Sequence, residues 1–487
     1  MSISLFFYYK NLDKNQNQNK VATYGVEAIA FSSDPLDYNY LIHHAAFSSV
    51  FAKLISNEKN GEYFPMIATS WKNENNFKTW VFKIRTDLKY SNGDRITLTD
   101  IENNFKRLIY LNNKKKSESG LLEFLVGFDN FKDINSKLDG FKATDNTITF
   151  NFVKPMPDLL DRLSFGFYGI AHPSLYDQKT GVWLDKMKVI SSGPYEVTLW
   201  NKEQYHLKLR TDVHFHSHEN RLNNIKFSVF ISAKTANEIE KIDFLPASKG
   251  SLMVTDKFEY ISSSEKLKVG YVQVSAIKNK KSILQNKDIR KWLRYKFYND
   301  LYKNDFPITL SFLPQSFKNI KPMDVTYFFE KPMFKPFSFT SHFFTYSARI
   351  EENKNKKSIT DFFSSAINAL GENSGAELIL ENNKDDIYDI EILGSGFEAS
   401  DYMDTLKLMF LSKDAIRLPD ITGKIKEELK KEKPDINFIN REIWDQAVIW
   451  PIRHYSSGYW FNKNSNINYE EMNFNSPSVD FQFLKWK

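Results

Sequence analysis

Trp80-Val81-Phe82-Lys83-Ile84-Arg85, followed by Tyr90-Ser91-Asn92-Gly93-Asp94 and Leu98-Thr99-Asp100-Ile101-Glu102, is the stretch on which the reading of this 487-residue chain turns. Trp80, Phe82 and Ile84 recur at every second position, the period of a strand that buries one face. Ser91-Asn92-Gly93-Asp94 is a turn by composition and ends that strand's unit. Thr99 and Glu102 have the spacing of a capping box, which predicts a helix carrying Ile101, Phe105, Leu108 and Ile109 on its inner face. A strand, a turn and a helix in this order form the first fixed point of the fold.

Outward from it, residues 21–31 read as a β-rich opening closed by the turn Ser32-Ser33-Asp34-Pro35-Leu36-Asp37. Ile148, Phe150 and Phe152 alternate in a strand ended by Pro155, and Leu159 to Leu163 continues as a short helix. Gly193-Pro194-Tyr195 opens a second β-rich stretch through Tyr205–Leu209 and Lys226–Phe230. A helix is predicted over Asp288–Asp300, with Trp292, Tyr295, Phe297 and Tyr298. Residues 306–346 read as loop, rich in Pro and Phe, whose aromatics fit ordinary core better than a binding wall. Asp386–Leu393 is a strand by its Ile content, and 421–447 is helical with a break at Pro434. Nothing repeats at a fixed period, which excludes solenoids and propellers. The class is α/β, with mixed sheets in more than one lobe.

At about 150 residues per domain the length fits roughly three compact units. Hydrophobic residues make up 41% and charged residues 26%, with no apolar run near the ~18 residues of a membrane span. The net charge of +6 is spread along the chain apart from local runs such as Lys114-Lys115-Lys116, so there is no nucleic-acid footprint. The absence of Cys excludes disulfides, thiolate zinc sites and cysteine nucleophiles. Ile3 to Tyr9 is apolar but lacks a basic flank and an Ala-x-Ala cleavage site, so it fits a strand or the remnant of a leader equally well.

Chemistry-bearing clusters are few. His214, His216 and His218 stand at i, i+2 and i+4, which on a strand share one face and suit zinc, copper or nickel; a polar surface loop is the competing reading. His43-His44 diverge on an extended segment. Hydrolase elbows, His-Glu-x-x-His and phosphate-loop motifs are all missing from the sequence. Asp401 and Asp404 have the makings of an acid and base pair, as do many pairs in a chain with 60 acidic residues. Gly394-Ser395-Gly396-Phe397-Glu398-Ala399-Ser400-Asp401-Tyr402-Met403-Asp404-Thr405 reads as a flexible Gly-rich loop before the helical run Leu406–Leu411. Asp401 there either caps the helix or presents a carboxylate to a cleft.

Several segments, in order, resemble the extracytoplasmic solute-binding proteins of ABC transporters, family 5, of the oligopeptide, dipeptide and nickel type. Ser33-Asp34-Pro35-Leu36 is similar to the family's early turn, and Tyr63 to Trp71 (Tyr-Phe-Pro-Met-Ile-Ala-Thr-Ser-Trp) to its Pro-x-Leu-Ala-x-Ser-Trp segment. The stretch from Trp80 to Ile101 resembles the family's most specific signature, and Lys154-Pro155-Met156-Pro157 its Lys-Pro-x-Pro. Ser192-Gly193-Pro194-Tyr195, Asp288-Ile289-Arg290 with Asp300, and Ile449-Trp450-Pro451-Ile452 resemble its later motifs.

The resemblance implies a two-lobed periplasmic-binding-protein clamp, type II, with an additional domain. The boundaries it implies are 1–45, 170–265 and 455–487 for the first lobe, 46–169 for the additional domain and 266–454 for the opposing lobe. It further implies a ligand-binding protein without catalysis or cofactor, monomeric and extracytoplasmic (periplasmic), its leader absent or truncated in this chain. Its partners would be a short peptide or other small solute and an ABC permease with its ATPase, with no nucleic acid. Asp401-Tyr402-Met403-Asp404-Thr405 matches the family loop whose Asp pairs with a peptide's α-ammonium, which gives Asp401 that role. Phe397, Tyr402, Gly396, Phe31 and Ser32 are the expected neighbouring contacts, largely through main-chain strand addition. A sensor on the same fold, or a metal-dependent hydrolase built on His214, His216 and His218, are the other readings the residues leave open.

Overall fold

Trp80, Phe82 and Ile84 are buried on one side of strand β5 (Thr79–Ile84) in the computed structural model. The structure describes residues 20–26, 29–30, 32–37, 46–57, 62–115, 121–213, 215, 220–229, 236–246, 256–262, 268–274, 283–304, 308–314, 341–347, 376–380, 390–396, 402–411, 419–431, 433–456, 458–472, 474 and 479–487. They form two compact units, residues 1–262 with 458–487 and residues 263–457, so the chain passes between units twice.

In the first unit, strands are numbered in chain order. A hairpin of β2 (Ile55–Asn57) and β3 (Tyr63–Pro65) leads into an antiparallel four-stranded sheet of order β4-β5-β7-β6. Its other strands are β4 (Ala68–Glu74), β6 (Phe141–Thr144) and β7 (Thr147–Asn151). The helix Leu98–Lys115 covers it: Ile101, Phe105, Leu108 and Ile109 are all buried, and the Phe105 ring meets Phe141 at 5.5 Å and Phe150 at 5.3 Å. The capping box lies two residues earlier than its spacing in the sequence suggests. Thr97 Oγ1 accepts from the Asp100 N–H at 3.1 Å, and the Asp100 carboxylate accepts from the Thr97 N–H at 2.9 Å. The Ile96 N–H, bonded to Leu88 O at 3.0 Å, ties the chain down just before Thr97, so the helix starts at Leu98 and Thr99 lies inside it.

The second sheet of this unit has seven strands in the order β12-β18-β11-β1-β10-β9-β8. They are β1 (Val21–Val26), β8 (Tyr195–Trp200), β9 (Tyr205–Leu209), β10 (Asn224–Val229), β11 (Phe244–Pro246), β12 (Phe258–Ser262) and β18 (Gly458–Asn462). β1 runs parallel to β10 and β11, and the other pairs are antiparallel, a mixed sheet as the sequence predicts. Tyr24 is the hub of its core, with ring centroids 5.3 Å from Phe227, 4.9 Å from Phe244 and 5.4 Å from Phe481. Phe481 lies between the two strands of a short pair, β19 (Ile467–Asn468) and β20 (Lys485–Trp486), which closes the C-terminus.

The motif residues join these two layers. Asp34 accepts from Arg107 Nη2 at 2.7 Å, and Ser33 is held by Lys186 O, Lys188 O and the Trp183 indole. The Ser91 N–H donates to Ser191 O at 2.8 Å while Ser91 Oγ accepts from the Ser191 N–H at 3.0 Å. Gly93, at φ +91°, makes the tight turn that brings Ser91 there. Ser192 Oγ bridges Ile170 O and the Ala52 N–H, and Tyr195 Oη donates to Leu222 O at 2.9 Å.

The second unit is built on a five-stranded sheet of order β15-β14-β16-β13-β17. Its strands are β13 (Lys268–Val274), β14 (Ser341–Ser347), β15 (Ala376–Leu380), β16 (Ile390–Gly396) and β17 (Ile449–Tyr455). Helices Lys287–Lys303, Tyr402–Leu411, Pro419–Leu429 and Ile436–Gln446 accompany it, and Val272, Leu293, Phe297, Leu406, Ile443 and Trp450 share one core. Arg290 of the Asp-Ile-Arg motif donates to the carbonyls of Leu284, Gln285 and Gln446 at 2.8–3.0 Å, binding its helix to two neighbouring segments. Residues 341–346 belong to strand β14 rather than to the loop expected from their neighbours. Their aromatic and Thr content suits a strand, and parallel pairing with β15 supplies the partner.

Candidate functional site

Gly394, Ser395 and Gly396, expected to be loop, are the last residues of β16. Two glycines in three residues suggest flexibility, but the β13 ladder holds them: Gly394 opposes Gly270, Ser395 opposes Val269 and Gly396 opposes Lys268. Of the strand predicted over Asp386–Leu393, Ile390–Leu393 is observed and runs on to Gly396, while residues 386–389 lie outside the described residues. Among the described residues β14, whose described part ends at Ser347, pairs with β16 at Ile390, Glu391 and Ile392. Beyond Ile392, among the described residues, no strand is registered with β16 on the side away from β13.

Of the residues predicted for the site, Gly396 lies on this strand end and Tyr402 begins the helix Tyr402–Leu411. Asp401, which directly precedes that helix, and Phe397 lie outside the described residues, as do Phe31, His43, His44, His214, His216 and His218. Ser32 is fully buried and its Oγ accepts from the Asp34 N–H at 3.2 Å, which positions the turn leading to the Arg107 joint. Among the described residues no group of three or more His, Asp or Glu side chains is close enough to hold a metal ion.

The sequence reading did not single out β13. Its signal is a lone glycine, Gly270, inside the apolar strand Lys268–Val274, a pattern that marks close approach by another backbone or a ligand. Lys268 opens the strand half-buried, and burial pulls its amine below the usual lysine range.

The model of the bacterial extracellular solute-binding proteins, family 5, matches residues 62–331, more than half of the chain. The chain belongs to this family. Family 5 is made of binding proteins rather than enzymes, and its members work outside the cytoplasm. No helix among the described residues is long and apolar enough to cross a membrane.

This family 5 chain is 24% identical over 181 residues to the dipeptide-binding protein DppE of Bacillus subtilis (strain 168), covering 36% of this chain and 33% of that protein. It is 25% identical over 174 residues to the periplasmic murein peptide-binding protein MppA of Escherichia coli (strain K12), covering 34% and 31%. In these alignments the chain spans about a third of the length of the curated relatives it matches. The fold extends much further. The substrate-binding domain of an oligopeptide ABC transporter from Bacillus anthracis str. Ames superposes with a TM-score of 0.71 at 16% identity, covering 96% of this chain and 98% of that one. The two-lobed α/β class is thus the observed one.

Proposed function

We propose that this protein is the substrate-binding component of a peptide-type ABC importer. It captures a short peptide or a related amine-bearing solute by hinge closure of its lobes and delivers it to a membrane permease with its ATPase. Membership in a family of extracellular solute-binding proteins carries this reading. The names of the relatives, dipeptide-binding and murein peptide-binding, indicate the solute class.

In this reading the first lobe comprises 1–45, 170–265 and 455–487, the additional domain 46–169 and the opposing lobe 266–454. The protein acts as an extracytoplasmic monomer, without catalysis or cofactor. Asp401 meets the ligand's ammonium, with Gly396, Phe397, Tyr402, Phe31 and Ser32 around it. A carboxylate shielded from water is costly until a cation joins it, so the ligand's amine is recognised as the site closes.

Asp401→Asn is expected to weaken an amine-bearing ligand tenfold or more, about 1.4 kcal/mol or above. Titration calorimetry with Ala-Ala-Ala and its N-acetylated form checks this. Wild type should discriminate between the two and the variant should not; equal affinities throughout would remove Asp401 from the site.

A further inference from the structure

Of the nine large hydrophobic side chains exposed among the described residues, three fall within six positions: Val182 (57%), Leu184 (64%) and Met187 (45%). Single exposed apolar side chains are ordinary, but a cluster of them on a rigid segment marks a surface that meets something. The segment is a small hairpin. Tyr176 pairs with Trp183 in an antiparallel bridge, the Asp177 N–H donates to Val182 O at 2.8 Å, and the Leu184 N–H donates to Leu175 O at 2.9 Å. Trp183 is its inward anchor: the indole donates to Ser33 Oγ at 2.9 Å, and the ring centroid lies 5.1 Å from the Arg107 guanidinium. Neighbouring residues of an extended segment point to opposite faces, so anchoring Trp183 turns Val182 and Leu184 outward together.

We propose that this ridge, residues 179–188, docks the protein on an anionic lipid surface. The charge pattern selects that partner. Lys179, Lys186 and Lys188 are exposed alongside the apolar side chains. A Cβ built on Gly181 falls 3.4 Å from Leu111 Cδ1, so the ridge lies beside the helix Leu98–Lys115, whose last turn carries Lys114 and Lys115. The two acids are engaged in their own turns. Asp177 accepts from the Lys179 and Thr180 N–H groups and from Thr180 Oγ1, and Asp185 accepts from the Met187 N–H. Apolar side chains that enter the acyl boundary, with lysines around them to meet lipid phosphates, make an interfacial membrane contact. This contact concerns a face of the protein rather than its solute, and it is independent of the peptide-binding reading.

The test is flotation of the purified protein with vesicles of phosphatidylcholine alone and of phosphatidylcholine with phosphatidylglycerol in equal parts. Wild type is expected to float with the anionic vesicles, less so at high salt, and not with the neutral ones. The double variants Val182→Ser with Leu184→Ser and Lys179→Glu with Lys188→Glu should each lower partition by about tenfold or more. Val21→Ser, which removes an exposed apolar side chain from the seven-stranded sheet, should float as wild type does. Thermal melts establish that each variant is folded. Wild type that floats with neither vesicle, or equally with both, overturns the proposal, as does unchanged flotation of either double variant.

Discussion

Arg107→Ala is expected to cost about 3–5 kcal/mol of stability, seen as a lowered urea midpoint followed by tryptophan fluorescence. Arg107 is 1% exposed. Nη2 donates to Asp34 at 2.7 Å, Nε donates to Gly181 O at 2.7 Å, and the guanidinium lies 5.1 Å from the ring centroids of both Tyr176 and Trp183. Truncation leaves the mostly buried Asp34 carboxylate without its cation and opens a gap between two aromatic rings. Because Asp34 sits on the turn before the β2 hairpin and Arg107 on the helix over the four-stranded sheet, the loss falls on the joint between the two layers. Arg107→Lys keeps the charge but not the planar fork, and should recover only part of the loss. A change below about 1 kcal/mol for Arg107→Ala would mean that Asp34 is solvated in solution and that the joint is not formed as described.

Gly193→Ala should be comparably severe, at about 3 kcal/mol or more. A Cβ built on Gly193 falls 2.5 Å from Ser49 O and 2.8 Å from the carbonyl carbon and oxygen of Val50. Neither segment is free to withdraw, since the Gly193 N–H donates to Val50 O at 2.8 Å and the Tyr195 N–H donates to Ser49 O at 3.0 Å. The added methyl must break one of these bonds or push apart two buried chains. Gly423, in the helix Pro419–Leu429, has nothing within 4 Å of its Cβ position. Gly423→Ala is therefore expected to stabilise by about 0.5–1 kcal/mol through helix propensity alone. A Gly193→Ala protein as stable as wild type would show that the Gly-Pro-Tyr segment does not pack against Ser49 and Val50 as closely as described.

These joints explain what the sequence could and could not reveal. Trp80, Phe82 and Ile84, or Ile101, Phe105, Leu108 and Ile109, announce their elements because burial of one face writes a period into neighbouring residues. The turn around Asp34 was recognisable as a motif, but the reason for its acid is an arginine 73 positions away, and no local pattern encodes that distance. The capping box was misplaced by two residues because Thr99-x-x-Glu102 and Thr97-x-x-Asp100 are equally good signals; a tertiary contact at Ile96 selects between them. Gly394 and Gly396 looked like a loop because glycine has weak strand propensity, and cross-strand pairing with β13 overrode it. Of the proposed site, Gly396 and Tyr402 are named from the sequence, and the strand that opposes Gly396, β13, is not. Asp401 and Phe397 rest on the resemblance to family 5.

Native mass spectrometry of the gently purified protein, followed by mass analysis of what it releases on denaturation, tests the central claim most directly. The account predicts a ladder of short peptides of varied sequence, released in near-equal amount to the protein. A single non-peptide species at that stoichiometry would contradict it.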